Sequence, residues 1–529
     1  MLVQILMSPV AIAALTIVPG LLLAIALIEG AFPGRLPPAL VDILSNILNA
    51  YLAWRYPIQS VTEKVSLPSC PYRWPNGQGD KAKFFDGIQN SQKWESDYGP
   101  VYRIWSGMKP EIVLTRPDQL QSIFFDSDQH AKAINNDSGY LLGQLLGRCV
   151  GLISPPQWQA VRAVMEAPFR QRACQNKAGQ IHDMVNSFLE TSYQGGPLST
   201  GTLHPARDLK MLPFWIVCDL FYGQLPTHFT EELKGLITIR ESLMKHAMSG
   251  GIVQFSLSRM FPTQANRDLR VFKSQWRRLN SEVVGYWRSR KCAAPIVDMY
   301  DAMYTGRVSE EEVLQTLDEA IFANLDVTTG GLSWNPVFLA AYPECQEKLR
   351  QEIKQAQKDG RMDQYLQSAS TYLQACILES SRLKPLAAFS VPQSAPTDRV
   401  VSGYKIPANT NFVVDAYALN IRSDHWGPDN DTYRPERFLA RDNVKLRYLF
   451  WRFGFGPRQC MGKYATDIII RATVVNLVQN YNLRLLNKTI WSRDKSCWIT
   501  HPDFEICCER IKRETLPVSL SVAADGATK

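Results

Sequence analysis

Apolar residues run almost unbroken from Met1 to Ile28, interrupted by Gln4, Ser8, Pro9, Thr16, Pro19 and Gly20, and no charge precedes Glu29. A bilayer-spanning helix needs about 20 such residues, so this stretch predicts a single N-terminal transmembrane anchor. A cleaved secretory signal is the competing reading, opposed by the missing basic start and the length of the run. A second apolar stretch, Leu40–Trp54, carries Asp42, Asn46 and Asn49 and predicts a packed or interfacial helix. Val101–Trp105 and Glu111–Thr115 read as short strands joined by a Ser-Gly turn, and Pro117 opens a helix reaching Asp126. From 157 to 380 the periodicity is helical in pieces: 177–192, 206–222, 231–248, 266–290, 308–335, 343–357 and 368–383. Beyond 384 come short strands, turns and prolines, one more helix after Cys460, and a strand-rich end near Tyr481–Leu486. The expected fold class is mainly α with a smaller β region, preceded by a transmembrane helix.

Composition narrows the function classes. The chain has 529 residues, 45% of them apolar, and a net charge of +8. That excess is small for this length and scattered, with no base-reading or zinc-finger signature, so nucleic acid is not an expected partner. The 11 cysteines are odd in number and form no CxxC pair, which points to buried thiols in a reducing compartment.

One cysteine stands apart. Phe453-Gly454-Phe455-Gly456-Pro457-Arg458-Gln459-Cys460-Met461-Gly462 places a sulfur after a glycine-rich turn and ahead of an apolar helix from Ala465. Glycine and proline permit and fix a tight backbone there. A sulfur at a helix N-terminus is expected to ionise more easily and to suit a metal. The bland alternative, a buried free cysteine beside a turn, does not account for glycine, arginine and cysteine together. The segment resembles the haem-binding signature of the cytochrome P-450 family, Phe-x-x-Gly-x-Arg-x-Cys-x-Gly, at every specified position. The resemblance implies haem b with Cys460 as axial thiolate ligand, Arg458 as a propionate contact, Phe453 beside the sulfur, and Gly462 giving the next helix close approach.

Further matches follow from that resemblance. Glu379 and Arg382 share a helical face and match Glu-x-x-Arg, and Arg437, from Tyr433-Arg434-Pro435-Glu436-Arg437-Phe438, is the implied third member of a buried ion network. Trp158 and Arg162 match Trp-x-x-x-Arg and are implied propionate neighbours. The Arg or His of many relatives after the Glu-x-x-Arg proline is missing from Pro385-Leu386-Ala387-Ala388-Phe389-Ser390, so neutralisation is expected to lean on Arg162 and Arg458.

The centre of 308–335 reads Ala323-Asn324-Leu325-Asp326-Val327-Thr328 where the family has Ala-Gly-x-Asp/Glu-Thr-Thr/Ser. Val327 stands at the first threonine and cannot donate a proton. Asn324 and Thr328, four apart, are expected to replace it with ordered water, with Asp326 near the proton route; Asn324 binding the substrate is the open alternative. For Thr328, back-bonding to the helix is the ordinary reading.

The resemblance implies a monooxygenase inserting one atom of O2 into an apolar-rich organic substrate. Electrons would come from a separate NADPH-cytochrome reductase, with cytochrome b5 as a further partner and lipid around the anchor. The localisation implied is the endoplasmic reticulum membrane, single-pass, with the catalytic domain facing cytosol. Lys384, Lys445, Arg447, Arg452 and Lys463 are expected to give a basic docking face. The oxygen-side segment is similar to fungal secondary-metabolism members, gliotoxin-like epipolythiodioxopiperazine pathways among them, which implies a cyclic dipeptide substrate. Oxidative coupling, rearrangement or dehydration is the alternative within enzymes; a membrane-bound haem sensor or hydrophobic-ligand carrier is the alternative outside them. The expected organisation is an anchor (1–30), a membrane-proximal packing segment (31–94), a catalytic domain (95–515) and a tail (516–529).

Overall fold

The computed structural model describes residues 34–132, 139–439, 446–487 and 491–511, with Gly20, Ala24, Ile25, Leu27 and Ile28. The expected anchor falls almost wholly outside these residues, as does the tail 516–529. No helix among the described residues is long and apolar enough to cross a membrane. The second apolar stretch is a helix, α1 (Pro38–Arg55), which buries Val41, Leu44 and Leu52. It is tied to the chain that follows: Asn49 Oδ1 accepts from Tyr72 N at 2.9 Å, and Ser45 Oγ accepts from Trp74 N at 2.9 Å.

The expected strand pair is β1 (Val101–Ser106) and β2 (Lys109–Leu114), antiparallel with Val101 opposite Leu114. With β3 (Ala131–Lys132), β4 (Gln393–Ser394) and β5 (Asn411–Val414) they form a sheet in the order β1-β2-β5-β4-β3. β2 and β5 run parallel, Glu111 opposite Asn411. The rest of the body is helical. α2 (Gln157–Met165), α3 (Glu310–Phe322), α4 (Val327–Ala341), α5 (Tyr372–Leu383) and α6 (Lys463–Asn480) surround the site. β6 (Tyr481–Leu485) and β7 (Ile506–Arg510) pair antiparallel at the end, joined by Thr202–Leu203. α6 is buried from Ile468 to Val478 on every side, with Arg471 in its middle donating to Gln374 Oε1 at 2.9 Å and Leu366 O at 2.8 Å. It shares one hydrophobic core with Val161 of α2, Leu317 of α3, Trp334 of α4 and Ile377 of α5.

Local chemistry sets the ends of these elements. Ser309 and Glu312 form a reciprocal cap on α3, with Ser309 N donating to Glu312 Oε2 at 2.8 Å and Glu312 N to Ser309 Oγ at 3.3 Å. α5 starts at Tyr372 rather than 368 because Thr371 Oγ1 accepts from Gln374 N. The expected helix 308–335 is two helices, separated by a 3-10 turn at Ala323–Leu325 and by Asp326. Side chains compete for its backbone: Asn324 Nδ2 donates to Ala320 O, and Thr329 Oγ1 donates to Asn324 O at 3.1 Å.

Glu379 is fully buried between two arginines. Arg382 meets it in a fork, Nε to Oε2 at 2.7 Å and Nη2 to Oε1 at 2.8 Å, while Arg437 Nε reaches Oε1 at 3.2 Å and Arg434 N reaches Oε1 at 3.0 Å. The remaining guanidinium hydrogens go to main-chain oxygens of Asn420, Asn430 and Trp426 and, from Arg437 Nη2, to the Asp429 carboxylate at 2.8 Å. Asn420 passes this restraint on, since its side chain clamps both the N–H and the carbonyl of Trp451 at 2.8 Å. Trp451 opens the cysteine loop, so the ion network braces that loop through one asparagine. Removing one member of such a network leaves a buried charge uncompensated. Glu379→Ala is therefore expected to lower stability by about 3–5 kcal/mol, read from the denaturant midpoint. Lys93→Ala, which breaks an exposed pair with Asp97, should leave the midpoint unmoved.

Candidate functional site

A cavity of about 1200 Å³ separates the cysteine loop from the α3–α4 break. It exceeds the roughly 300–1,000 Å³ of a single small-ligand pocket, leaving room for a cofactor and a substrate together. The loop's turn depends on Gly454 (φ +78°) and Gly456 (φ +68°), both left-handed, and a Cβ on Gly456 would lie 2.1 Å from Ser127 Oγ. Cys460 N donates to Phe453 O at 2.8 Å, which closes the loop. Phe455 packs edge-on against Phe124, Tyr448 and Trp451.

Cys460 is open only toward the cavity and is enclosed by protein elsewhere. Burial pushes its thiol up; the Gly462 N–H, Arg162 and Lys463 pull toward the thiolate, and Glu319 adds to the rise. This corrects the expectation from helix position. α6 starts at Lys463, so the sulfur lies ahead of the first turn and desolvation dominates. A coordinated cation would deprotonate it outright. Cys497 also lines the cavity, but burial and the Asp326 carboxylate push its thiol up to about 12. Of these two cavity cysteines, only Cys460 has Arg162 and Lys463 favouring its thiolate. A Cβ on Gly462 would sit in ordinary contact with Thr466 Oγ1 at 3.8 Å and with the Cys460 sulfur at 4.0 Å.

One edge of the cavity is basic. Arg458 stacks over Trp158 at 4.7 Å and donates to His130 O at 2.9 Å and Ile153 O at 2.6 Å, yet its buried Nε has no partner among the described residues. Arg162 pairs with Glu166 at 2.8 Å and donates to Gln459 O at 3.1 Å. Lys132, from β3, lines the same cavity, and burial together with Arg458 pushes its ammonium down to about 8. An orphaned guanidinium N–H and two further cations around one edge fit a ligand bearing carboxylates, as the expected haem does. Lys132 is a functional candidate that the sequence motifs missed; a lone lysine in a two-residue strand carries no pattern.

The opposite wall is the α3–α4 break. Thr328 Oγ1 donates to Asn324 Oδ1 at 2.5 Å, and Asn324 Nδ2 donates to Ala320 O, so the Asn324 amide is engaged at both ends. Asp326 has Lys210 at 3.9 Å; its main-chain oxygen accepts from Gly330 N at 2.8 Å and from His501 Nε2 at 2.8 Å. Burial holds the Asp326 carboxyl up against the pull of Lys210 and His501. Gly330 is required here, because a Cβ would meet Ile499 at 2.5 Å. Asp326, Cys497 and His501 bring ligating atoms within 4.8 Å of one another, but the imidazole Nε2–H is already spent on a carbonyl. His501 had no signal in the sequence. Leu152, Met244, Leu386, Val391 and Ile499 also line the cavity.

The expected docking face needs correction. Lys384 turns inward, half-buried over Trp334 at 4.6 Å, because its stem is worth more packed than solvated. Arg452 pairs with Asp467 at 2.6 Å and donates to Ser381 at 3.1 Å. Arg447 and Lys463 are described and lie over Tyr448 and Tyr464, while Lys445 lies outside the described residues.

Comparisons with known proteins agree with this geometry. Residues 68–507 match the family described as Cytochrome P450. The chain is similar to cytochrome P450 monooxygenase asaD of Aspergillus flavus, 49% identical over 88% of this chain and 91% of that relative. It is 50% identical to cytochrome P450 monooxygenase aclC of Aspergillus oryzae over 87% and 95%, and 37% identical to gliC of Aspergillus fumigatus over 90% and 95%. A zebra fish cytochrome P450 solved with progesterone shares the fold, with a TM-score of 0.63 at 18% identity, covering 80% of this chain and 99% of its own.

The buried Lys132 gives a pH test. Its folded pKa lies below its unfolded value, so the unfolded chain binds more protons between about pH 8 and 10.5, and ligand-free stability rises with pH there. Below pH 8 the penalty is constant. Lys132→Met should raise the unfolding free energy of the ligand-free chain by about 1–3 kcal/mol at pH 7 and flatten that rise, measured by denaturant titration at several pH values.

Proposed function

Because the chain belongs to the cytochrome P450 family, we propose that Cys460 would hold its haem b through a thiolate and that the enzyme oxygenates a cyclic dipeptide in fungal secondary metabolism. The chain is an oxidoreductase monooxygenase that takes O2, an organic substrate and electrons from a partner reductase. When bound, haem supplies the activation of O2. The observation that carries the ligand assignment is the contrast between the two cavity cysteines. Cys460 has Arg162, Lys463 and the Gly462 N–H favouring its thiolate against one carboxylate, Glu319, whereas Cys497 has Lys210 and the Ile499 N–H against two, Asp326 and Asp494.

The chain's own residues would do the rest. Arg458, Arg162 and Lys132 would hold the propionates, with Trp158 packed under Arg458. Phe453 and Gly462 would flank the sulfur. Glu379, Arg382 and Arg437 would act only through the loop they brace. On the oxygen side, the Asn324–Thr328 pair would hold the helix break open in place of the missing threonine, and Asp326, reached by Lys210, would pass protons inward. Engagement of the Asn324 amide by Ala320 and Thr328 favours this bracing role over substrate binding.

The substrate reading rests on the likeness of 322–328 to fungal secondary-metabolism members, on the three Aspergillus relatives and on a chamber whose lining is mostly apolar. NADPH-cytochrome reductase is the proposed reductase, with cytochrome b5 as an accessory donor. We place the catalytic unit at 95–515, packed against 31–94, on the cytosolic side of the endoplasmic reticulum membrane behind an anchor at 1–30. The exposed side of α1 supports a lipid-facing surface: Leu40, Ile43, Ile47, Tyr51 and Trp54 recur at helical spacing. Exposed Leu257, Met260 and Phe261 lie on a nearby segment, which Asn76 reaches through Gln254 at 3.2 Å.

Reconstitution with NADPH-cytochrome reductase, a cyclic dipeptide and labelled O2 tests the reading. One labelled oxygen atom in the product is expected; unlabelled coupled or dehydrated product contradicts oxygen insertion. Asn324→Ala should keep substrate affinity but lower product per NADPH severalfold, with the electrons recovered as peroxide. Normal coupling in that variant counts against the bracing role.

A further inference from the structure

Glu319 lies on α3 one turn before Ala323 and lines the cavity. Its Oε2 accepts from Gly151 N at 3.0 Å. Two neighbours on α3 hold the same loop in the same way: Gln315 Oε1 accepts from Arg148 N at 2.6 Å, and Thr316 Oγ1 accepts from Val150 N at 3.1 Å. Those two anchors are neutral. An amide would serve equally for the third, so loop anchoring alone does not account for a charge at 319. The loop is also cut to fit this carboxylate, because a Cβ on Gly151 would lie 1.9 Å from Glu319 Oε1.

The carboxylate is short of donors. An ionised carboxylate accepts about four hydrogen bonds. Glu319 has the Gly151 N–H and the Cys149 thiol, a weak donor. Lys132 and Arg162 act on it only at longer range, and no cation among the described residues lies within 4 Å of it. Both cations stand at the basic edge, where the propionates would engage them. Burial raises this carboxyl above its ordinary range, the mark of an acid that the protein alone solvates poorly. A donor arriving with the substrate would complete its set. On the reading of the chamber as a cyclic-dipeptide site, the ring donors are the two amide N–H groups.

We propose that Glu319 anchors the substrate by accepting a hydrogen bond from a ring N–H, and so selects cyclic dipeptides whose nitrogen is unalkylated. This rests on the substrate reading above, and the test separates the two. Haem-loaded full-length protein is titrated, with the haem absorption change as readout, using two matched pairs: cyclo(Leu-Leu) against its N,N′-dimethyl form, and N-butylbenzamide against N-butyl-N-methylbenzamide. The wild type should prefer the N–H member by about tenfold. Glu319→Gln, which keeps an acceptor for Gly151 at equal size, should cut that preference to about threefold or less, with a thermal midpoint no lower than that of the wild type.

A preference in the benzamide pair alone keeps Glu319 as the donor-reading group and overturns the cyclic-dipeptide substrate. Equal binding, or no binding, within both pairs overturns the role of Glu319, as does a preference that survives in Glu319→Gln. The wild-type comparison needs no variant, so a folding defect in Glu319→Gln does not blunt it.

Discussion

A sulfur anion inside a protein is expensive, and the site is organised around that cost. The Cys460 thiol is pushed up by burial in the ligand-free chain, so only a cation at the sulfur makes its charged form the stable one. The loop must therefore be in position before the cation arrives. Phe453 O closes it at 2.8 Å, Asn420 clamps its first residue, and Arg458 ties it to the carbonyls of His130 and Ile153. These restraints come from different parts of the chain, and the Glu379 network stands behind the one at Trp451.

The facing wall follows a different logic. A continuous helix from 310 to 341 would have its carbonyls satisfied within the helix. Asn324, Thr328 and Thr329 instead take up backbone and side-chain partners and open the helix between Ala323 and Asp326. His501 then reaches the Asp326 carbonyl from the loop between β6 and β7. That loop also presses Ile499 against Gly330, so the substrate-facing segment and the helix break are held in one packing arrangement.

Much of this was legible in the sequence because it is local. The cysteine loop is ten consecutive residues, Trp158 and Arg162 are one turn apart, and the helices from 177 to 383 announce themselves by periodicity. The break at Ala323–Leu325 was only half legible: the polar residues were conspicuous, but whether their side chains bond the backbone or the chamber depends on rotamers. Lys132, Glu319 and His501 were silent. Each acquires its meaning from a partner more than a hundred residues away, Arg458, Gly151 and Asp326 respectively. The inward turn of Lys384 and Arg452 was hidden too, since it depends on how Trp334 and Asp467, 50 and 15 residues away, fold back over them.

The identity of the sulfur ligand is the claim on which the rest stands, and absorption of the reduced carbon-monoxide complex reads it most directly. Haem-loaded Cys460→Ser should lose the thiolate-type band, while Cys497→Ser should keep it. An unchanged band in Cys460→Ser, or its loss in Cys497→Ser, would contradict the account.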